Sequence, residues 1–329
     1  MDKRARVKNA MDKKPVDHVP VGFWIHFFDK GTVGEPNIQA HREYYSAVDF
    51  DFVKVMNDGY FGFPFAKKIE RASQLYEIEP IGKDHAWVRA LVERVKALVD
   101  AYAKDMCVIA TVFNPFSTMK CGFADNLPDC DKYIMRFVEE DAMAVKHGLD
   151  VVAQACCLLT ELFVKEAGCD GIFYSVQNGE VTRFSEAEYR ELVMPNEAYV
   201  LERINRFSDY NILHCCGFDG VQNHIGLWAE YPSKCVNWAT AAENLSLANG
   251  RVRFGGRSVL GGFDTFFGDK IEDQRGILYR GTQEEVQDYA RNLILGSGKL
   301  GLMLGGDCTV DSRIDKSRLQ WVVDAARSI

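Results

Sequence analysis

The sequence predicts an α/β fold: a single (β/α)8 TIM barrel over residues 1–329, with an N-terminal helical extension. Three observations predict it. Eight short apolar runs alternate with longer stretches of helical spacing, the rhythm of parallel βαβ units. The first run is not followed by the G-x-G-x-x-G loop of many doubly wound sheets. Polar and metal-ligating side chains gather at the C-terminal ends of the runs, where a barrel builds its active site.

The predicted strands are 20–26, 51–57, 107–114, 170–176, 211–217, 234–240, 257–264 and 301–307. Each is brief, rich in β-branched or aromatic residues, and ends near Gly, Asp or Asn. Between them, 86–105 places Val88, Leu91, Val92, Val95 and Leu98 on one helical face. The stretches 141–168, 186–207 and 282–298 read the same way. Thr282 followed by Glu285 is a capping box for the last helix. Pro195 breaks or kinks the helix that contains it. Residues 59–85 have mixed signals and are read as an insertion over the barrel mouth. No internal repeat or linker divides the chain.

Composition sets the class. A net charge of −8 with scattered lysines and arginines is unsuited to nucleic acid or to an anionic membrane surface. The charged start, MDKRARVKNAMDKKPVD, has no secretory h-region, and the apolar stretch VVAQACCLLTELFV falls short of a membrane span. A cytoplasmic location is the expectation. Ten cysteines in 329 residues do not make a disulfide scaffold. Cys156, Cys157 and Cys169 read as small buried hydrophobes.

The strand ends then give the candidate site. His214 and Cys216, two apart in NILHCCG, share one face of a strand, which turns Cys215 to the other. Cys308 ends the last run, after a Gly-Gly-Asp that allows close backbone approach. One imidazole and two thiols suit Zn²⁺, and three protein ligands leave a position open, as in catalytic zinc. Asp58, His26 and Asp264 are candidates for catalysis. Gln177, Asn114 and Trp238 are candidates for substrate binding. Phe61, Phe63, Phe65, Trp238, Phe266 and Phe267 would give the mouth an aromatic lining. His18, His41, His85, His147 and His224 are given no role.

These residues carry a family resemblance. The opening R-x-x-x-A with PVDHVPVGFW, the DFDFVKVMNDGY segment, VLGGFDTFFGD and GTQEEVQDYARNLI together resemble the uroporphyrinogen decarboxylase superfamily, nearly end to end. Within it, H-x-C with a distant C resembles the zinc-dependent, corrinoid-linked methyltransferases. The tetrapyrrole decarboxylases carry an arginine-rich R-Q-A-G-R-Y segment after the first strand. This chain has WIHFFDKGTVGE there, without arginine. The resemblance therefore implies zinc on His214, Cys216 and Cys308. It also implies methyl transfer between a small substrate (a thiol, or a methyl ether, amine or thioether) and a corrinoid. No D-x-H-x-x-G corrinoid module is visible, so cobalamin is expected on a partner corrinoid protein. The alternative is a carboxy-lyase acting on a tetrapyrrole. Oligomeric state stays open, a homodimer included.

Overall fold

In a computed structural model that describes residues 1–29, 31–217 and 220–329, seven parallel strands form one curled sheet in sequence order. They are β1 (Phe52–Val55), β2 (Cys107–Phe113), β3 (Gly171–Val176), β4 (Ile212–Cys215), β5 (Cys235–Trp238), β6 (Ser258–Phe263) and β7 (Leu302–Gly306). Nearly every strand residue is buried on both faces, as parallel strands covered by helices must be.

The eighth expected strand, 20–26, does not form a ladder. It makes isolated parallel bridges, Val21 to Leu304 and Ile25 to Val310. Gly22 N donates to Leu304 O (3.0 Å) and Asp51 N to Val21 O (2.9 Å), so the segment lies between β7 and the approach to β1. The reason lies on the free edge of β1. There the Tyr45 hydroxyl accepts from Lys54 N and donates to Lys54 O, both at 2.9 Å, and so takes the groups that a neighbouring strand would use. Pro20 also brings no N–H.

The helices follow the predicted rhythm. They are α1 (Lys3–Met11), α2 (Gly34–Ala47), α3 (Ala86–Tyr102), α4 (Pro115–Lys120), α5 (Leu127–Lys165), α6 (Glu186–Leu192), α7 (Met194–Phe207), α8 (Ile225–Trp228), α9 (Leu247–Arg253), α10 (Ile277–Arg280), α11 (Gln283–Ser297) and α12 (Lys316–Arg327). The Thr282–Glu285 capping box opens α11. Pro195 sits in the first turn of α7, where its missing N–H costs nothing, and separates α7 from α6.

The helix expected from 141 begins earlier, at Leu127, but breaks its dihedrals at Asp141. The Asp141 carboxylate accepts from Met143 N and Ala144 N, both at 3.0 Å, and so caps the second half from inside. By length and apolar content α5 would cross a membrane. Here its apolar side is buried, with Leu149, Val152, Cys156 and Phe163 in the core.

The insertion 59–85 covers the mouth only at its start. Phe63 N bonds Thr118 O (2.7 Å) above α4. The segment then turns onto α5, where Ala72 N donates to Glu140 (3.0 Å).

At the N-terminal end of the strands, α1 supplies a network of ion pairs. Arg6 grips Asp17 through Nε (2.7 Å) and Nη2 (2.9 Å), and reaches buried Asp51 through Nη1 (2.6 Å). Asp51 also accepts from Val21 N (2.8 Å). Arg4 and Lys8 both pair with buried Asp170.

Candidate metal centre and active-site cavity

A cavity of about 650 Å³ opens at the C-terminal ends of the strands, within the size range of small-molecule sites. His214, Cys216, Cys308, His26, Asp264 and Gln177 line it. The ligand atoms of His214, Cys216 and Cys308 lie within 4.8 Å of one another.

The register explains the convergence. His214 on β4 pairs with Asn237 on β5, and Cys215 pairs with Trp238. Alternation then turns His214 and Asn237 into the barrel, and Cys215 and Trp238 toward the helices. Cys308 arrives from β7 through a turn in which Gly306 passes close to the Cys308 carbonyl. A Cβ on Gly306 would come within 2.5 Å of that oxygen.

Cys216 Sγ is 3.7 Å from Cys308 Sγ, and Cys308 Sγ is 3.8 Å from His214 Nε2. The sulfurs are too far apart for a disulfide, whose S–S bond is about 2.05 Å. Two zinc–thiolate bonds of about 2.3 Å at a tetrahedral angle put the sulfurs about 3.8 Å apart, so the donor set fits that ion.

The imidazole is held in one orientation. Asn237 Nδ2 donates to Leu260 O (2.9 Å) and Gly306 O (3.0 Å), which fixes the amide orientation and turns Oδ1 to His214 Nδ1. Nδ1 therefore carries the proton, and Nε2 presents its lone pair toward Cys308. The Cys308 thiol is held well below its ordinary range. Its bond to Cys216 is the largest cause, and with the His214 bond it outweighs burial.

A second polar group faces the cavity from the 20–26 segment. His26 Nδ1 lies 2.7 Å from Asp58 Oδ1, and Phe27 N donates to Asp58 Oδ2 (2.8 Å). Burial pushes the Asp58 carboxyl up, but the bonds from His26 and Phe27 and the attraction of His26 outweigh it and hold it below its ordinary value. Asp58 therefore accepts from Nδ1, which turns Nε2 to the cavity as the atom that gains or gives up a proton. Asp58 itself is fully buried and does not line the cavity. It reaches the cavity only through its bond to His26.

Gln177 lies on the wall, with Nε2 donating to Ser175 Oγ (3.2 Å) and Oε1 3.0 Å from Ser117 Oγ. Asp264 lines the wall and accepts from Phe266 N (3.0 Å).

Two expected substrate contacts are not at the cavity. Asn114 caps α4, its Oδ1 accepting from Ser117 N (3.0 Å) while Nδ2 donates to Gln177 O and Glu197. Its polar atoms are committed to the frame. Trp238 is fully buried behind β5, with Nε1 donating to Leu245 O (2.9 Å) and its ring filling the space above Gly250. Alternation, which excluded Cys215, excludes Trp238 as well. Of the expected aromatic rim, Phe61, Phe266 and Phe267 line the cavity. Phe63 and Phe65 pack against each other, 5.1 Å between centroids, and Phe65 stacks on Phe123.

Sequence reasoning missed Asn237, one residue before Trp238. It also missed Lys54, which lines the cavity from β1 although only 3% exposed. The signal for Lys54 was a lone cation inside the apolar run DFVKVM, on the same face as Met56.

Residues 62–329 match the family model described as Uroporphyrinogen decarboxylase (URO-D). Among solved structures, the chain is similar to a methyltransferase from Methanosarcina mazei. The TM-score is 0.72 and the identity 14%, over 100% of this chain and 98% of that one. It is also similar to a B12-independent methionine synthase from Shewanella sp. W3-18-1, with a TM-score of 0.52 and 13% identity, over 94% of this chain and 97% of that one. No curated protein sequence matches the chain.

Proposed function

The chain belongs to the uroporphyrinogen decarboxylase family, and within it we propose a zinc-dependent methyltransferase that works with a corrinoid carried by a partner protein. One observation carries the reading: two thiols and an imidazole that turns Nε2 toward them meet at one point of the cavity. His214, Cys216 and Cys308 would hold the ion. Bound there, zinc supplies a Lewis acid with a position open to a substrate sulfur, oxygen or nitrogen.

The chain's own residues do the rest. Asn237 holds the imidazole in the ligating tautomer. His26, oriented by Asp58, can accept or return a proton at Nε2 when the substrate is a thiol. Gln177 offers an amide on the wall. Phe28, Phe61 and Phe113 make the mouth apolar, so that water is displaced when a substrate or a corrinoid face covers it. The methyltransferase named among the fold neighbours supports the reading at the level of fold.

The carboxy-lyase alternative has less support. A tetrapyrrole with several carboxylates needs several cations. Of the three lysines and arginines among the described lining residues, Lys120 is paired with Asp131 (2.6 Å) and Arg275 lies over the Phe266 ring (3.8 Å to the centroid), which leaves Lys54 to meet a carboxylate.

The test is metal analysis of protein purified without chelator, followed by demethylation of methylcobalamin with candidate thiols, read from its visible spectrum. We expect about one zinc per chain, lost together with activity in Cys216→Ser. Zinc-free protein with full methyl-transfer activity would overturn the reading. A neighbour whose name describes it as B12-independent makes the corrinoid arm necessary: zinc-dependent transfer from a methyl donor other than a corrinoid would remove the corrinoid from it.

A further inference from the structure

Lys54 lines the cavity wall, and the proposed function leaves its chemistry unused. Its ammonium sits among Trp24, Phe173 and Met56, with ring centroids at 5.3 and 4.4 Å and the Met56 sulfur at 3.0 Å. A thioether is a weak acceptor and an aromatic face is not a counter-ion. No described carboxylate pairs with it.

The other two cations of the described lining differ. Lys120 is paired with Asp131 (2.6 Å), and Arg275 is stacked on Phe266. Lys54 is also rigid at its root, since Tyr45 holds both its backbone groups.

A buried ammonium without a partner is costly, and burial lowers its pKa to about 7. The opposing influences are Cys308, Asp58 and Cys216. A divalent ion on the two thiolates would neutralise most of that negative charge, so the filled metal centre leaves Lys54 with a vacancy for an anion. Lys54 is the one lysine or arginine in the seven described strands, and a leucine or methionine would fill the same space without that cost.

We propose that Lys54 is the anchor for a carboxylate on the substrate, so that the cavity takes small acids: a thiol acid, or a methylated acid, whose sulfur, oxygen or nitrogen faces the His214–Cys216–Cys308 cluster while its carboxylate meets Lys54. This rests on the reading of the cavity as the substrate site. The anchor is formed by β1, Trp24 of the 20–26 segment and Phe173 of β3, none of which carries a proposed metal ligand. It therefore sets specificity separately from the reactive end. The polar wall between, with Thr111 and Ser175, suits the body of a small polar acid.

The experiment uses the protein as purified, with propionate and its neutral near-isostere propionamide as probes. Tryptophan emission is the readout, because Trp24 borders the ammonium. Trp24→Phe identifies the reporter. Propionate is expected to give a saturable change at a concentration at least tenfold below that of propionamide. Lys54→Met is expected to remove that preference with zinc content unchanged, and Lys54→Arg to restore part of it. Carboxylate binding by the metal itself is common to all three proteins, so the difference between them belongs to Lys54. Should Lys54→Met fail to fold, the wild-type protein is labelled with acetic anhydride and its peptides are weighed. Propionate, and not propionamide, is then expected to protect Lys54.

Equal binding of the two probes, or a Lys54→Met protein that still prefers propionate, overturns the proposal. Lys54-dependent propionate binding in a zinc-free protein with full methyl-transfer activity supports the anchor and overturns the zinc reading alone.

Discussion

The two ends of the barrel both hold polar clusters, and they differ in completeness. At the N-terminal end Arg6 makes bidentate bonds to Asp17 and a third to Asp51, while Asp51 ties Val21 of the 20–26 segment to the network. Donors meet acceptors and charges meet opposite charges. At the C-terminal end the thiols of Cys216 and Cys308 converge with His214 Nε2 on one point of the cavity, and Lys54 faces the same cavity with a thioether as its hydrogen-bond partner. On the function proposed above, the difference separates the buried charges that hold the fold from those that would take a ligand. Completed networks stabilise; incomplete ones have capacity left to bind.

The largest contrast is expected from one substitution at each end. Cys308→Ser should reduce bound zinc from about one per chain to less than a tenth, because one of three ligands is lost. The metal-free protein should melt within about 2 °C of metal-free wild type, since little packing changes. Arg6→Leu should do the reverse. It leaves Asp51 buried without its cation, at about 3 kcal/mol, the low end for a broken buried pair because Asp17 is partly exposed. Zinc content at saturating metal should not change. Denaturant melts and metal analysis of both variants check the pair. If Arg6→Leu lost zinc while its stability held, the two ends would be coupled and the contrast would fail.

Next in size is Asn237→Leu. Removing the amide frees His214 Nδ1, so that the ring no longer has one enforced tautomer. Zinc affinity should fall by about 10–100-fold, the usual cost of losing a ligand's orienting partner. Asn237→Gln, which keeps an amide but shifts it by one methylene, should lose comparably. Competition with a chromophoric chelator measures both. Unchanged affinity in Asn237→Leu would place the control of His214 elsewhere.

Much of this was legible in the sequence because it follows from periodicity and residue type. Alternation put His214 and Cys216 on one face, and strand ends placed Cys308 beside them. What was not legible depends on register and on competition. That Asn237 and not Trp238 faces inward follows from the pairing of Cys215 with Trp238, which no single strand reveals. The missing eighth ladder depends on Tyr45, a residue on α2 whose hydroxyl satisfies the edge of β1 from outside the sheet. The role of Asn114 as a cap hidden beneath the cavity wall depends on Glu197, eighty-three residues away.

Glu197 gives an effect read as a change with pH, and it tests whether completeness or location separates the two classes. It lies near the C-terminal end, behind the cavity wall, yet its network is closed. Oε1 accepts from Asn114 (2.6 Å) and the Tyr189 hydroxyl (2.9 Å), and Oε2 from the Tyr231 hydroxyl (2.6 Å). Burial, the largest influence, nonetheless raises its pKa to about 7 against those bonds. An unfolded glutamate titrates near 4.3, so between roughly pH 4.5 and 7 the folded protein holds a proton that the unfolded chain has released. Stability contributed by this carboxyl is therefore full below pH 4 and falls as pH rises to 7, on the order of 1 kcal/mol per unit. Glu197→Gln cannot titrate. Its melting temperature relative to wild type should climb from pH 5 to pH 7 and level off above, with zinc content the same as wild type. A difference that is flat with pH would mean that the closed network keeps Glu197 ionised throughout. A loss of zinc would mean that a completed cluster at this end still serves the site, and that location, rather than completeness, separates the two ends.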